Sequence, residues 1–219
     1  MKKAIISASV LGATPLNIDK EISKFKEAGI QWIHFDVMDG KFVKNVSFET
    51  PFLKEVCQKV DLVKDVHIMI ENPLSRVEEY ADCGADYLTF HYEACKDDFE
   101  VKEVINRIHS FNMKAGISIK PNTSIESIYS FLKDLDLVLI MSVEPGYGGQ
   151  RFIDHSIEKI AFLRNEIDKD GLSTLISVDG GINDKTAPFC LNAGVDVLVV
   201  GQYLFNHEDF LERYHRIVK

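Results

Sequence analysis

The sequence of 219 residues holds only four cysteines, six prolines, thirteen glycines and one tryptophan, and it has no surplus of basic side chains. Cys57, Cys83, Cys95 and Cys190 are scattered, with no CxxC and no close pair. That spacing excludes a disulfide framework and a thiolate zinc site, and these cysteines are expected to be reduced packing residues. No apolar run approaches the ~18 residues of a membrane span. The short apolar stretch after Met1, Lys2 and Lys3 reaches Ser7 without the apolar region of a signal peptide. The protein is therefore expected in the cytoplasm, with no membrane partner. Lys and Arg number 25 against 34 Asp and Glu, a net charge of -9. Such a balance argues against nucleic acid or anionic lipid as a partner, so an anionic substrate must be gripped locally. With no low-complexity segment or linker, residues 1–219 are expected to form one domain.

What the chain does have is a rhythm. Short runs rich in β-branched residues recur at 4–9, 32–37, 62–69, 86–91, 114–119, 137–142, 175–179 and 196–201, and these read as strands. Between them the apolar residues follow a helical period, as in Ile22, Phe25 and Ala28, or Ile157, Ile160, Leu163 and Ile167. Gly29, Gly84 and Gly194 end three such segments as helix caps would. Strand then helix, eight times in ~200 to 250 residues, predicts an α/β fold of the (β/α)8 TIM barrel type. A doubly wound sheet is the other fold weighed, but the first strand ends in SASVLG, which is no GxGxxG.

Polar residues gather where such a barrel builds its site. Ser9, His34, Asp36, His67, His91, Asp179 and Gly201 all fall at or near the C-terminal ends of the expected strands. His34 and Asp36, two apart, point the same way; if they face inward, Ile33 and Phe35 face the helices. With His67 and Asp179 they make a His2Asp2 set suited to zinc, or to iron, manganese or cobalt. Taken singly, each histidine reads as a core residue satisfied by a backbone carbonyl. Four ligand-type groups on three strand ends favour a site.

Glycine supplies a second signal, in VEPGYGGQ (143–150), DGGIN (179–183) and GQ (201–202). One such loop alone is an ordinary turn. Three together after the last strands read as a phosphate site whose backbone N–H groups need no Lys or Arg. Met38, Met69 and Met141 also end strands, as core filling or as a polarisable wall to the site. His109, His155, His207 and His215 are expected to be solvated, and Asp97 or Asp98 to cap a helix.

The stretches WIHFDVMDGKFVKN, DVHIMIENP, ADYLTFHYEA, MSVEPGYGGQRFI and VDGGIN, in that order, resemble the ribulose-phosphate 3-epimerase family from about Ile5 to Phe205. The resemblance implies a (β/α)8 barrel isomerase of the pentose phosphate pathway, interconverting D-ribulose 5-phosphate and D-xylulose 5-phosphate with one divalent metal, zinc foremost. It implies metal ligands at His34, Asp36, His67 and Asp179, and acid/base roles for Asp36 and Asp179. It further implies substrate contacts at Ser9, His67, Gly146, Tyr147, Gly148, Gly149, Gly180, Gly181, Gly201 and Gln202, and a homo-oligomer, dimer or hexamer. The chemistry is coherent: a carboxylate removes a proton α to a carbonyl only if the enediolate charge is stabilised, and inversion needs two acid/base groups on opposite faces.

The chain departs from the family pattern at Ala8, Lys44, Glu49, Lys120 and Gln202. Gln202 stands where a serine usually meets the phosphate. It therefore either contributes its amide, leaves only backbone contact, or marks another phosphosugar, such as the six-carbon allulose 6-phosphate. A decarboxylase or aldolase barrel would place lysine beside aspartate, whereas Lys41 and Lys44 fall in a loop. A barrel that only binds phosphosugars would not need both aspartates.

Overall fold

The computed structural model describes residues 4–11, 18–205 and 207–218. Its strands are β1 (Ile5–Ser9), β2 (Trp32–Met38), β3 (Val63–Met69), β4 (Tyr87–His91), β5 (Lys114–Ile119), β6 (Leu137–Met141), β7 (Leu175–Asp179) and β8 (Val197–Val200). Each pairs in parallel with the next, and β8 pairs with β1 through Ile5–Val197 to Ala8–Val200, closing the barrel. The helices are α1 (Ile18–Ala28), α2 (Thr50–Lys59), α3 (Val77–Cys83), α4 (Asp98–Ser110), α5 (Ser156–Lys169), α6 (Ala187–Asn192) and α7 (Phe210–Ile217). This is a (β/α)8 TIM barrel with one irregular crossover. Between β5 and β6 the chain runs as a 3-10 helix, Ile125–Asp134, where an α-helix was expected. Its buried Ile125, Ile128 and Phe131 are spaced by three, which aligns them on one face at three residues per turn.

Alternation along the strands sorts the side chains. Ile6, Ala8, Ile33 and Phe35 join the outer core shared with the helices. On the alternate positions, Trp32, Leu137, Leu139, Val197 and Val199 plug the barrel interior, with Ile5, Val63, Tyr87 and Leu175 beneath them. The Trp32 and Tyr87 rings lie 4.6 Å apart in this plug. Above it the inward positions turn polar: Ser7, His34, Asp36, Asp65 and His67 are all buried. The strands are thus buried on both faces, which explains near-continuous apolar runs such as LVLIM.

The helices seal the outside. In α1 the period places Ile18, Ile22 and Phe25 inward, and the Phe25 ring meets Phe210 of α7 and Phe205, each at 5.9 Å. Each fully buried apolar side chain of this kind contributes roughly 1.5–3 kcal/mol. After α3, Gly84 takes φ 88, and the Ala85 N–H reaches back to the Tyr80 carbonyl at 3.2 Å. The same five-residue closure recurs at Ile30 to Phe25 and Val195 to Cys190, so all three expected cap glycines end helices. Asp97 caps α4 by accepting the Glu100 N–H.

Candidate active site

A cavity of about 970 Å3 opens at the C-terminal ends of the strands. It is lined by Ser9, Asp36, Met38, Met69, Met141, Gly146, Tyr147, Gly148, Gly149, Asp179, Gly180, Gly181, Gly201 and Gln202, all singled out from the sequence. His34 and His67 lie in the floor beneath it, wholly buried. They sit deeper than strand-end residues because β2 and β3 run on to Met38 and Met69. Ligand-type atoms of His34, Asp36, His67 and Asp179 all lie within 4.8 Å of one another.

Hydrogen bonds fix each group. Asp36 Oδ2 accepts from the Ser9 hydroxyl at 3.0 Å, while Oδ1 lies 3.3 Å from His34 Nε2 and 3.1 Å from His67 Nδ1. His34 Nδ1 is 2.7 Å from Asp65 Oδ2, which also accepts the Ser7 hydroxyl at 2.9 Å. Burial would lower the pKa of His34, but the Asp65 and Asp36 carboxylates outweigh it and raise it well above the ordinary value. Burial would raise the Asp36 carboxyl, yet His34 and His67 hold it far below the usual range. Asp179 shifts the other way, pushed up by burial and by the Asp36 charge. A cluster that raises an imidazole this strongly favours added positive charge, and two imidazoles with two carboxylates are the donors a zinc-type cation takes.

The glycine loops form the far wall. Gly180 has φ 120, and a Cβ there would lie 2.5 Å from Val143 Cγ2, so only glycine fits. The Ser142 hydroxyl donates to the Asp179 and Gly180 carbonyls at 2.8 and 2.7 Å, tying the β6 and β7 ends together. Gln150 Nε2 donates to the Glu144 and Tyr147 carbonyls and stitches the 143–150 loop. The Gln202 amide packs on Gly149 so closely that a Cβ there would lie 2.6 Å from Gln202 Oε1. Asn45 Nδ2, in the loop after β2, donates to the Gly146 carbonyl at 2.8 Å, with Val43 against Gly146. Met38 and Met69 pack with Val43, Leu11 and Phe42, whereas Met141 belongs to the interior plug.

His91 and His207 were noted in the sequence, the one at a strand end and the other as a solvated residue, but several further residues of this region were not singled out. Asp65 shares the inward face of β3 with His67, a D-x-H spacing that could have found it. Asp39 organises the loop after β2: its Oδ1 accepts the Lys41 and Phe42 N–H groups, and its Oδ2 accepts that of Glu71. Burial opposes, but these bonds lower its pKa. His91 touches His67 and is held neutral by burial, down to about 4, while Glu93 beside it is held at about 2. In Glu93 the His91 ring, the Thr123 hydroxyl and the Lys120 N–H overcome the cost of burial. Arg151, Arg213 and His207 line the cavity, so its mouth is not without basic side chains. Of the other helical histidines, His155 and His215 are exposed and His109 pairs with Asp136 at 3.0 Å.

Residues 5–205 match the model of the ribulose-phosphate 3 epimerase family. The chain is 42% identical over 210 residues to the ribulose-phosphate 3-epimerase of Chlamydia pneumoniae, covering 94% of this chain and 90% of that one. It is 37% identical over 208 residues to the chloroplastic enzyme of Arabidopsis thaliana, covering 95% and 74%. Among solved structures, 3-hexulose-6-phosphate synthase from Salmonella typhimurium superposes with a TM-score of 0.70 at 16% identity, covering 100% and 97% of the two chains. That last likeness is one of fold. No helix among the described residues is long and apolar enough to cross a membrane.

Proposed function

The chain belongs to the ribulose-phosphate 3-epimerase family, and on that premise we propose that this isomerase interconverts D-ribulose 5-phosphate and D-xylulose 5-phosphate by proton transfer at C3. The observation that carries the reading is the convergence of Asp36 and Asp179 with His34 and His67 in the floor of one cavity, beside the glycine loops. Asp36 comes from β2 and Asp179 from β7, three strands away around the barrel, so the two carboxyls can address opposite faces of a carbon. Asp36, held ionised by its imidazoles, takes the C3 proton of ribulose 5-phosphate. Asp179, raised by burial, holds a proton and returns it from the other face. The Ser9 hydroxyl orients Asp36 and meets the substrate beside it.

His34, Asp36, His67 and Asp179 would hold one divalent cation, Zn2+ first, with Fe2+, Mn2+ and Co2+ suited to the same donors. When bound, the cation supplies positive charge against the ketose oxygens and so lowers the cost of removing the C3 proton. The phosphate is assigned to the backbone of Gly146–Gly149, Gly180, Gly181 and Gly201, with Gln202 above them and Arg151 and Arg213 at the mouth. Met38, Met69 and Met141 wall the reacting carbon from water. Exposed Phe162 and Phe189, on the neighbouring helices α5 and α6, are apolar surface of the kind a homo-oligomer covers, and sedimentation gives its mass.

Incubating the metal-assayed protein with D-ribulose 5-phosphate in D2O tests the reading by NMR. Loss of the C3 proton with appearance of xylulose 5-phosphate is expected. No exchange with any of the four metals would overturn it. The Gln202 amide over Gly149 supports a second reading, a six-carbon ketose phosphate, which a comparison of kcat/KM for the two sugars decides.

A further inference from the structure

Glu93 sits in the single 3-10 turn, Tyr92–Ala94, that follows β4. Its Oε1 accepts the Lys120 N–H at 2.7 Å and the Thr123 hydroxyl, which anchors the carboxylate to the loop after β5. Its Oε2 lies 3.1 Å from His91 Nδ1. His91 Nε2 lies 2.9 Å from His67 Nε2, and His67 Nδ1 lies 3.1 Å from Asp36 Oδ1. Both imidazoles are wholly buried. The Phe42 ring covers His91 at 4.8 Å, with Lys120 Nζ 4.2 Å above that ring.

With a cation on His67 Nδ1, this chain of contacts has one consistent placement of protons. A carboxylate only accepts, so His91 Nδ1 carries a hydrogen and donates to Glu93. His67, its Nδ1 taken by the cation, carries its hydrogen on Nε2. Two ring nitrogens 2.9 Å apart must be one donor and one acceptor, so the donor is the His67 Nε2–H. Without the cation, His67 Nδ1 faces Asp36 Oδ1, a carboxylate oxygen that also only accepts, so a cation taken there replaces the hydrogen of that contact.

We propose that Glu93 and His91 are positioning residues that keep the proton of His67 on Nε2 and so reserve its Nδ1 as a metal ligand. The proposal rests on the metal reading above. Carboxylates behind ligating histidines set tautomer and orientation in this way, but here the order passes through a second imidazole. Without the carboxylate, His91 can carry its proton on Nε2 and donate to His67, whose own proton then moves to Nδ1 and blocks the ligand atom.

Two measurements on Zn2+-loaded protein test it. Long-range 1H–15N NMR of the histidine rings should show His91 neutral with its proton on Nδ1, and His67 with its proton on Nε2. Chelator competition for Zn2+ should show Glu93→Gln binding about 10–100-fold more weakly than the wild type. Thr123→Val, which removes an anchor but keeps the Glu93–His91 bond, should stay within about threefold of the wild type, well short of the loss that removing a ligand-orienting carboxylate brings. A His91 proton on Nε2 overturns the proposal, as does a Glu93→Gln protein that holds Zn2+ as tightly as the wild type. An equal loss in Thr123→Val also overturns it, because the effect would then belong to loop packing. If Glu93→Gln does not fold, the wild-type ring tautomers decide alone. Failure of the wild type to hold Zn2+, Fe2+, Mn2+ or Co2+ would instead remove the metal reading itself.

Discussion

Asp36 and Asp179 face one cavity from β2 and β7 and are driven in opposite directions. Two imidazoles hold the first far below the ordinary carboxyl range, while burial and the charge of the first raise the second. Neither shift follows from position alone, since both groups sit in the same floor. The difference is their partners: His34, His67 and Ser9 all bond Asp36, and none of them bonds Asp179. Two like groups with separated proton affinities are what a reaction needs when one proton leaves and another arrives.

Replacing either carboxyl is therefore expected to stop inversion. Asp36→Asn and Asp179→Asn should each lower kcat by about 10^3-fold or more, given that positioned acid/base groups contribute about 10^2–10^4-fold. Circular dichroism should show the barrel intact. Turnover within tenfold of the wild type would remove the residue from its assigned role.

Asp65 is expected to matter without touching substrate. Its carboxylate fixes Nδ1 of His34 at 2.7 Å and so aims Nε2 at the cluster. Asp65→Asn should weaken divalent metal binding by about 10–100-fold, read by chelator titration. Unchanged affinity would mean that packing alone orients the ring.

Gln202 is expected to act in binding. Gln202→Ala should raise KM several-fold with kcat little changed, as befits a contact made equally in ground and transition states. A fall in kcat at constant KM would place the side chain at the reacting carbon.

Acid stability has a separate source at the other end of the barrel. Asp136 accepts from Lys114 Nζ at 2.9 Å, His109 Nε2 at 3.0 Å and the Ala115 N–H at 2.9 Å. Burial opposes, but these donors lower its pKa in the folded protein. A depressed carboxyl stabilises the fold above its unfolded value and loses that contribution as pH falls through the folded one. Asp136→Asn should cost roughly 1–2 kcal/mol at neutral pH. Urea unfolding should show this gap closing as the pH drops below about 4. A gap independent of pH would assign the cost to packing.

The barrel was legible because its strands are buried on both faces and so read as apolar runs; the 32–37 run falls one residue short of β2. The 3-10 crossover was hidden because apolar spacing of three also belongs to an α-helix over one turn. In the site, alternation found His34 with Asp36, and the same arithmetic on D-x-H would have found Asp65, which stands below the rim. Glu93 carried no such signal, since it follows a strand through a 3-10 turn where the period of two no longer holds. Arg151 and Arg213 are far apart in sequence and line one cavity because β6, β7 and β8 are neighbours in the sheet.

The hydrogen bond from Asn45 to the Gly146 carbonyl joins the loop after β2 to the glycine loop after β6, residues 101 positions apart. If release of this latch between the two loops paces turnover, the motion falls in the microseconds to milliseconds in which such loops open. Turnover paced by the latch would slow in viscous solvent and show little isotope effect from deuterium at C3. With Asn45→Ala the pace would pass to the proton transfer, and the isotope effect would emerge.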